Sequence, residues 1–118
     1  MAAEHAAVEI RDDRGSGKLV AFLGGAAAGV VTYFVMDPGP GSLVAVHTVV
    51  EPEYEGRGVA GALVRELYSM AAREGVPVVP LCPYAAEWAR RHPDQAPEAG
   101  HELVRSAGLQ LGAHPELF

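Results

Sequence analysis

Along the first half of the chain, apolar residues come in short runs separated by glycine, aspartate and proline, and the period changes near residue 57. Residues 8–11 read as a short strand ended by the polar turn Asp12-Asp13-Arg14-Gly15-Ser16-Gly17, and residues 18–23 read as a second. Gly24-Gly25 forms a tight-turn pair before residues 29–36, which are rich in Val, Thr, Tyr and Phe, so a hairpin follows. Asp37-Pro38-Gly39-Pro40-Gly41 makes the next reversal. In residues 43–50, strict alternation puts Leu43, Ala45, His47 and Val49 on one face and Val44, Val46, Thr48 and Val50 on the other. Both faces are nearly apolar, as in a central strand covered twice.

From residue 57 to 74 the pattern becomes helical. Val59, Leu63, Leu67 and Ala71 recur at spacings of four, flanked by Ala60, Val64 and Met70, and Gly75 with Pro77 supplies the stop. Residues 76–81 read as a short buried strand, and strand, helix, strand implies one right-handed parallel crossover. A second helix is predicted over 84–91, with Trp88 packing one face and His92-Pro93 ending it. Beyond Pro93 the sequence is polar and punctuated by Pro and Gly. Residues 98–107 fit a short helix with Leu103 and Val104 inward, and 95–118 read as a tail or dimerisation arm after one domain over 1–94. The predicted fold class is therefore α+β, antiparallel strands followed by a β-α-β crossover in a mixed sheet.

Composition narrows the function. The 118 residues suffice for one core, and 15 acidic against 9 basic residues give a net charge of −6, which opposes nucleic-acid binding. The single Cys82 excludes an intramolecular disulfide and a multi-cysteine metal site, which suits a reducing cytoplasm. No apolar run approaches the roughly 18 residues of a membrane span, and the N-terminal residues have no signal-peptide pattern. His5, His92, His101 and His114 lack ligand spacing, and no metal site is expected.

The chemistry concentrates in Glu55-Gly56-Arg57-Gly58-Val59-Ala60-Gly61, where the central strand gives way to the long helix. Glycines there permit positive φ and a close ligand approach, and the free N–H groups of a helix's first turn attract an anion such as a diphosphate. The alternative is a mere tight turn. The run also matches G-x-G-x-x-G, but the strand after the helix ends Pro80-Leu81-Cys82-Pro83, without the acid that a dinucleotide ribose requires, and only one crossover is present.

The stretch from Val44 to Leu67 resembles the acetyl-CoA-binding motif of the GNAT N-acetyltransferases, written Q/R-x-x-G-x-G/A, with Glu55 at the Q/R position, Gly58 as the glycine and Ala60 as the final small residue. His47-Thr48, Cys82-Pro83-Tyr84 and His92-Pro93 resemble the minimal one-domain branch called YjdJ-like. The resemblance implies acetyl-CoA as co-substrate and direct attack by an amine on its thioester. It also implies a splay between the strand before the motif and the next parallel strand, with a main-chain N–H near Val49 or Val50 polarising the thioester carbonyl. The amides from Arg57 to Gly61 would hold the pyrophosphate. Val49 stands where many relatives carry a carboxylate base, which leaves His47 or Glu51 to take the amine proton. A lone histidine on an apolar strand is more often a satisfied core residue, which is the other reading of His47. Cys82 is an acyl-accepting nucleophile, a proton donor or a small buried hydrophobe, and Tyr84 is a proton donor to the CoA thiolate or a packing partner of Trp88. A non-catalytic acyl-CoA-binding module and, behind it, a dinucleotide-binding protein are the competing readings.

Overall fold

The computed structural model describes residues 8–37 and 41–117; His5 and most of the predicted reversal at 37–41 lie outside them. Four strands run antiparallel in sequence order, β1 (Val8–Asp13), β2 (Lys18–Leu23), β3 (Ala26–Val35) and β4 (Leu43–Val50). β3 begins earlier than its Val-rich stretch suggests, because Gly24 and Gly25, at φ 60 and 86, complete a two-residue turn and let Ala26 pair at once with Leu23. A 3-10 turn, Pro52–Tyr54, leads to α1 (Val59–Glu74), which crosses over to β5 (Val78–Pro80), parallel to β4. Two further helices follow, α2 (Pro83–Arg91) and α3 (His101–Gly112). The result is a five-stranded mixed sheet in the order β1-β2-β3-β4-β5.

α1 forms where the sequence supplies an apolar stripe between two glycines. Gly58, at φ 79, is its N-cap, so the helix starts two residues later than its periodicity suggests, and Gly75, at φ 73, closes it by donating to the Ala71 and Ala72 carbonyls. The stripe Val59, Leu63, Val64, Leu67 and Met70 packs on Leu19, Ala21, Val31, Tyr33, Leu43 and Ala45. Each fully buried Leu or Val contributes about 1.5–3 kcal/mol. Gly29 on β3 is what lets the helix come so close: a Cβ there would stand 3.0 Å from the Val49 carbonyl oxygen and 3.1 Å from Val59 Cγ1.

The opposite face of the sheet is covered at one end only. There Ala107 of α3, with no exposure, meets Met36, Val44 and Val79, with Phe34, Leu81 and Leu103 at the border. Leu103 turns inward as its spacing suggests, whereas Val104 is 38% exposed. Gln110 fastens the helix to the end of β3, its side-chain carbonyl accepting from the Asp37 N–H at 3.0 Å and its amide donating back to the Asp37 carbonyl.

β4 departs from strict alternation. Its register against β3 shifts between Tyr33↔Ala45 and Thr32↔His47, so Val46 is an extra residue, a β-bulge that exchanges the two faces of the strand downstream. Leu43 and Ala45 belong to the core beneath α1, and after the bulge that same side carries Thr48 and Val50. His47 and Val49 therefore do not continue the Leu43-Ala45 face. Both lie on the other face and are exposed, Val49 by 54%. A period-two reading of eight nearly apolar residues carried no sign of the inserted one.

Candidate functional site

The cleft opens where β4 and β5 part. Their pairing ends at Ala45↔Pro80, and the Ala45 carbonyl accepts from both Leu81 N–H at 3.1 Å and Cys82 N–H at 3.0 Å, closing the vertex of the splay. β4 runs on to Val50 without β5 beside it. The Glu51 N–H donates to the Ala28 carbonyl at 2.9 Å, so alternation along the ladder points the Val49 N–H into β3 and the N–H groups of Thr48 and Val50 towards the open side. Of the two main-chain donors expected near the end of this strand, Val50 has the required direction and Val49 does not.

At the far end of β4 the chain turns through Gly56 and Gly58, at φ 80 and 79, a conformation that side-chain-bearing residues rarely adopt. A Cβ on either would meet no atom within 4 Å, so what these positions demand is backbone geometry. No side chain caps the first turn of α1 and no acid stands in it. The first hydrogen bond into the helix here is Ala62 N–H to the Gly58 carbonyl, at 3.0 Å, which leaves the amides of Val59, Ala60 and Gly61 free to meet a ligand with the positive end of the helix dipole behind them. Arg57 is exposed, its guanidinium carbon 5.7 Å from the Tyr54 ring centre.

Thr48, Val50, Tyr54, Glu55, Gly56, Gly58, Val59, Ala60, Gly61 and Tyr84 line one cleft of about 450 Å³. The sequence-predicted glycine turn, Val50 and Tyr84 thus converge. Tyr84, on the first turn of α2, is 42% exposed, and its hydroxyl lies 3.6 Å from where a Gly61 Cβ would stand, in reach of the helix start. Trp88, its predicted alternative partner, stacks on Tyr68 and on His92, with ring centres at 5.8 and 4.1 Å, and its Nε1 lies 3.6 Å from the same Gly61 position. Cys82 stands outside the lining. It is 4% exposed, and its sulfur lies 3.2 Å from Thr48 Oγ1, so Thr48 separates it from the cleft. His47 stands on the opposite face of the same strand segment, exposed, and Glu51 is exposed beside the 3-10 turn. Sequence reasoning missed Thr48, because alternation counted from Leu43 assigned it to the other face.

A larger hollow, about 750 Å³, lies between α2 and the start of α3, lined by Tyr68, Ala86, Ala89, Pro93 and Val104 among others. It holds neither the glycine turn nor the open edge of β4, so the smaller cleft is the candidate site. Among the described residues no cluster of His, Cys, Asp and Glu could hold a metal ion, and no helix is long and apolar enough to cross a membrane.

Comparison with known proteins agrees with this geometry. Residues 18–98 match the family model described as GCN5-related N-acetyl-transferase. Among solved structures, the ribosomal-protein-alanine N-acetyltransferase of Brucella melitensis biovar Abortus 2308 is 26% identical with a TM-score of 0.53, over 70% of this chain and 62% of that one. An aminoglycoside acetyltransferase from an uncultured soil metagenomic sample, solved with sisomicin, is 17% identical with a TM-score of 0.53, over 70% of this chain and 60% of that one. An integron cassette protein from the mobile metagenome of V. cholerae is 16% identical with a TM-score of 0.51, over 72% and 56%. The chain thus spans about 60% of the length of such structures, and no curated protein matches it. With the family model covering well over half of its residues, this chain belongs to the GCN5-related N-acetyltransferases.

Proposed function

We propose that the protein transfers an acetyl group from acetyl-CoA to a primary amine. The observation that carries this reading is the continuity of one cleft from the uncapped N-terminus of α1 to the open edge of β4. The free amides from Val59 to Gly61 suit a diphosphate, and the Thr48 and Val50 side of β4 offers an extended edge along which a pantetheine arm can add main-chain hydrogen bonds like a further strand. The Val50 N–H is then the donor for the thioester carbonyl, a contact that no side-chain substitution removes. Tyr84, which lines the cleft near the start of α1, is the proton donor to the departing thiolate in this reading. His47, exposed on the other side of β4, takes the proton of an amine arriving from that side.

The cytoplasm is the compartment that suits a lone thiol. The net charge of −6 favours a cationic acceptor, and a peptide with an N-terminal alanine is the first to try, given the activity named for the Brucella relative. A second reading, an acyl-CoA-binding module without turnover, is favoured by Glu55, an acid among the residues that line the cleft with Gly58 to Gly61. Calorimetry with acetyl-CoA and NAD, followed by thiol release with the alanyl peptide, lysine and spermidine, separates them. Binding of acetyl-CoA with amine-dependent release is expected. Binding without release would make the protein a module, and NAD competing where CoA does not would overturn both.

A further inference from the structure

We propose that Thr48 is a catalytic residue of the acetyl transfer and that Cys82 is its positioning partner. This inference rests on the acetyltransferase reading above. Thr48 lies on the cleft side of β4 only because the Val46 bulge puts it there, and it is the side chain of β4, together with Val50, that lines the cleft beside the splay. Cys82 is sealed behind it, at 4% exposure, with Oγ1 and Sγ 3.2 Å apart. That contact is the one hydrogen bond of the Thr48 hydroxyl to a side chain among the described residues.

A thiol and a hydroxyl in contact can be ordered in two ways. A thiol is a weak donor as well as a weak acceptor, so either order serves the isolated pair; with an acceptor in the cleft, the order in which the Cys82 S–H donates to Thr48 Oγ1 is the one that makes two hydrogen bonds in series instead of one. The Thr48 O–H is then released from its neighbour and turned to the cleft, where it donates to the sulfur of the bound thioester. In the transfer, the amine nitrogen bonds to the carbonyl carbon and gives its proton to His47, the carbon–sulfur bond breaks with its electron pair on sulfur, and the thiolate takes a proton from Tyr84, which solvent restores as His47 releases its own. Thr48 keeps its own proton throughout. Its hydrogen bond strengthens as charge develops on sulfur, which lowers the barrier without tightening the ground state. Cys82 forms no acyl bond; it fixes the hydroxyl rotor.

Thr48→Val keeps the shape and deletes the hydroxyl, and Thr48→Ser keeps the hydroxyl. With the alanyl peptide as acceptor, kcat is expected to fall about 10- to 100-fold in Thr48→Val, with the KM for acetyl-CoA and the CoA affinity within about threefold, and to recover in Thr48→Ser. Cys82→Ala is expected to lose about tenfold in kcat and Cys82→Ser, which restores a donor, to regain most of it. Because the chain has a single cysteine, the free protein also reports the contact directly: its infrared S–H stretching band should move to higher frequency in Thr48→Val. An unmoved band, or a wild-type kcat in Thr48→Val, would overturn the proposal, as would an acetylated Cys82 trapped by mass spectrometry in the absence of amine. Failure of the wild-type protein to bind CoA would instead sink the acetyltransferase reading, and with it the role given to Thr48. If Thr48→Val does not fold, Thr48→Ala with the same readouts decides the matter.

Discussion

Tyr68 shows how a single residue can be well packed and poorly satisfied at once. Its ring stacks on Trp88 and is 5% exposed, yet its hydroxyl has no hydrogen-bond partner. A buried hydroxyl left unpaired costs about 1–3 kcal/mol, so Tyr68→Phe, which keeps the ring, is expected to raise stability by about 1 kcal/mol in urea denaturation at neutral pH. Burial also pushes the Tyr68 phenol up to about 12. Tyr33 is pushed up to about 12 as well, first by burial and then by the hydrogen bond it donates to Asp12. In both cases the folded state holds the proton more tightly than the unfolded chain, whose tyrosines titrate near ~10. Their contribution is complete below pH ~10 and is lost as pH rises towards ~12, because the unfolded state then releases protons that the folded state retains. The urea midpoint should fall between pH 9 and 11 in the wild type and fall less steeply in Tyr68→Phe; parallel slopes would show that burial of this phenol is not what the alkaline limb reports. None of this was readable beforehand. A tyrosine at a helical core spacing is visible in the sequence, whereas the want of a partner for its hydroxyl depends on what α2 brings beside it.

At the level of elements, legibility followed local chemistry. The glycine turn and the α1 stripe were readable because their causes are local: Gly56 and Gly58 supply positive φ, and a spacing of four supplies a face. The bulge in β4 was not, because Val46, His47 and Thr48 look the same to an alternation count whichever of them is inserted; only pairing with Thr32 and Tyr33 decides it. That one residue changes the chemistry of the site, since it exchanges His47 and Val49 for Thr48 and Val50 on the cleft side. Gly29 joins the two well-read elements. Its missing Cβ admits Val59, the first residue of α1, against β3, with Leu63 Cδ1 also only 3.3 Å from the empty position. Gly29→Ala must push on the Val49 carbonyl or on the helix, and overpacking of this kind costs about 1–3 kcal/mol. The displaced element is the one whose first amides line the cleft. Gly29→Ala is therefore expected to lose CoA affinity in calorimetry as well as stability in thermal denaturation, and a loss of stability with unchanged affinity would mean that the sheet yields rather than α1.

Across the whole molecule, the two faces of the sheet are loaded unequally: one carries the main core and borders the cleft, the other a small second layer. α1 and α2 cover one face and leave between them, at the end of β4, the cleft that includes Val59 and Tyr84. α3 covers the opposite face, over Met36, Val44 and Val79, and this second layer was the least legible part of the chain because its buried surface is carried by an alanine and a half-buried leucine while Leu109 is 74% exposed. A helix with so thin an apolar stripe does not announce itself by periodicity, although its contact with the sheet is close: Ala107 has no exposure at all. Ala107→Asp places a carboxylate among those apolar side chains without a partner, and an uncompensated buried charge costs about 3–5 kcal/mol or drives the helix off the sheet. Since the cleft is built from the other layer, CoA affinity measured well below the melting transition should stay within about twofold of the wild type. The expected result is a protein with a markedly lower urea midpoint, fluorescent dye binding at the uncovered Val44-Val79 surface, and a working cofactor cleft; a parallel collapse of CoA binding would show instead that α3 holds β4 and β5 at the angle that opens the splay.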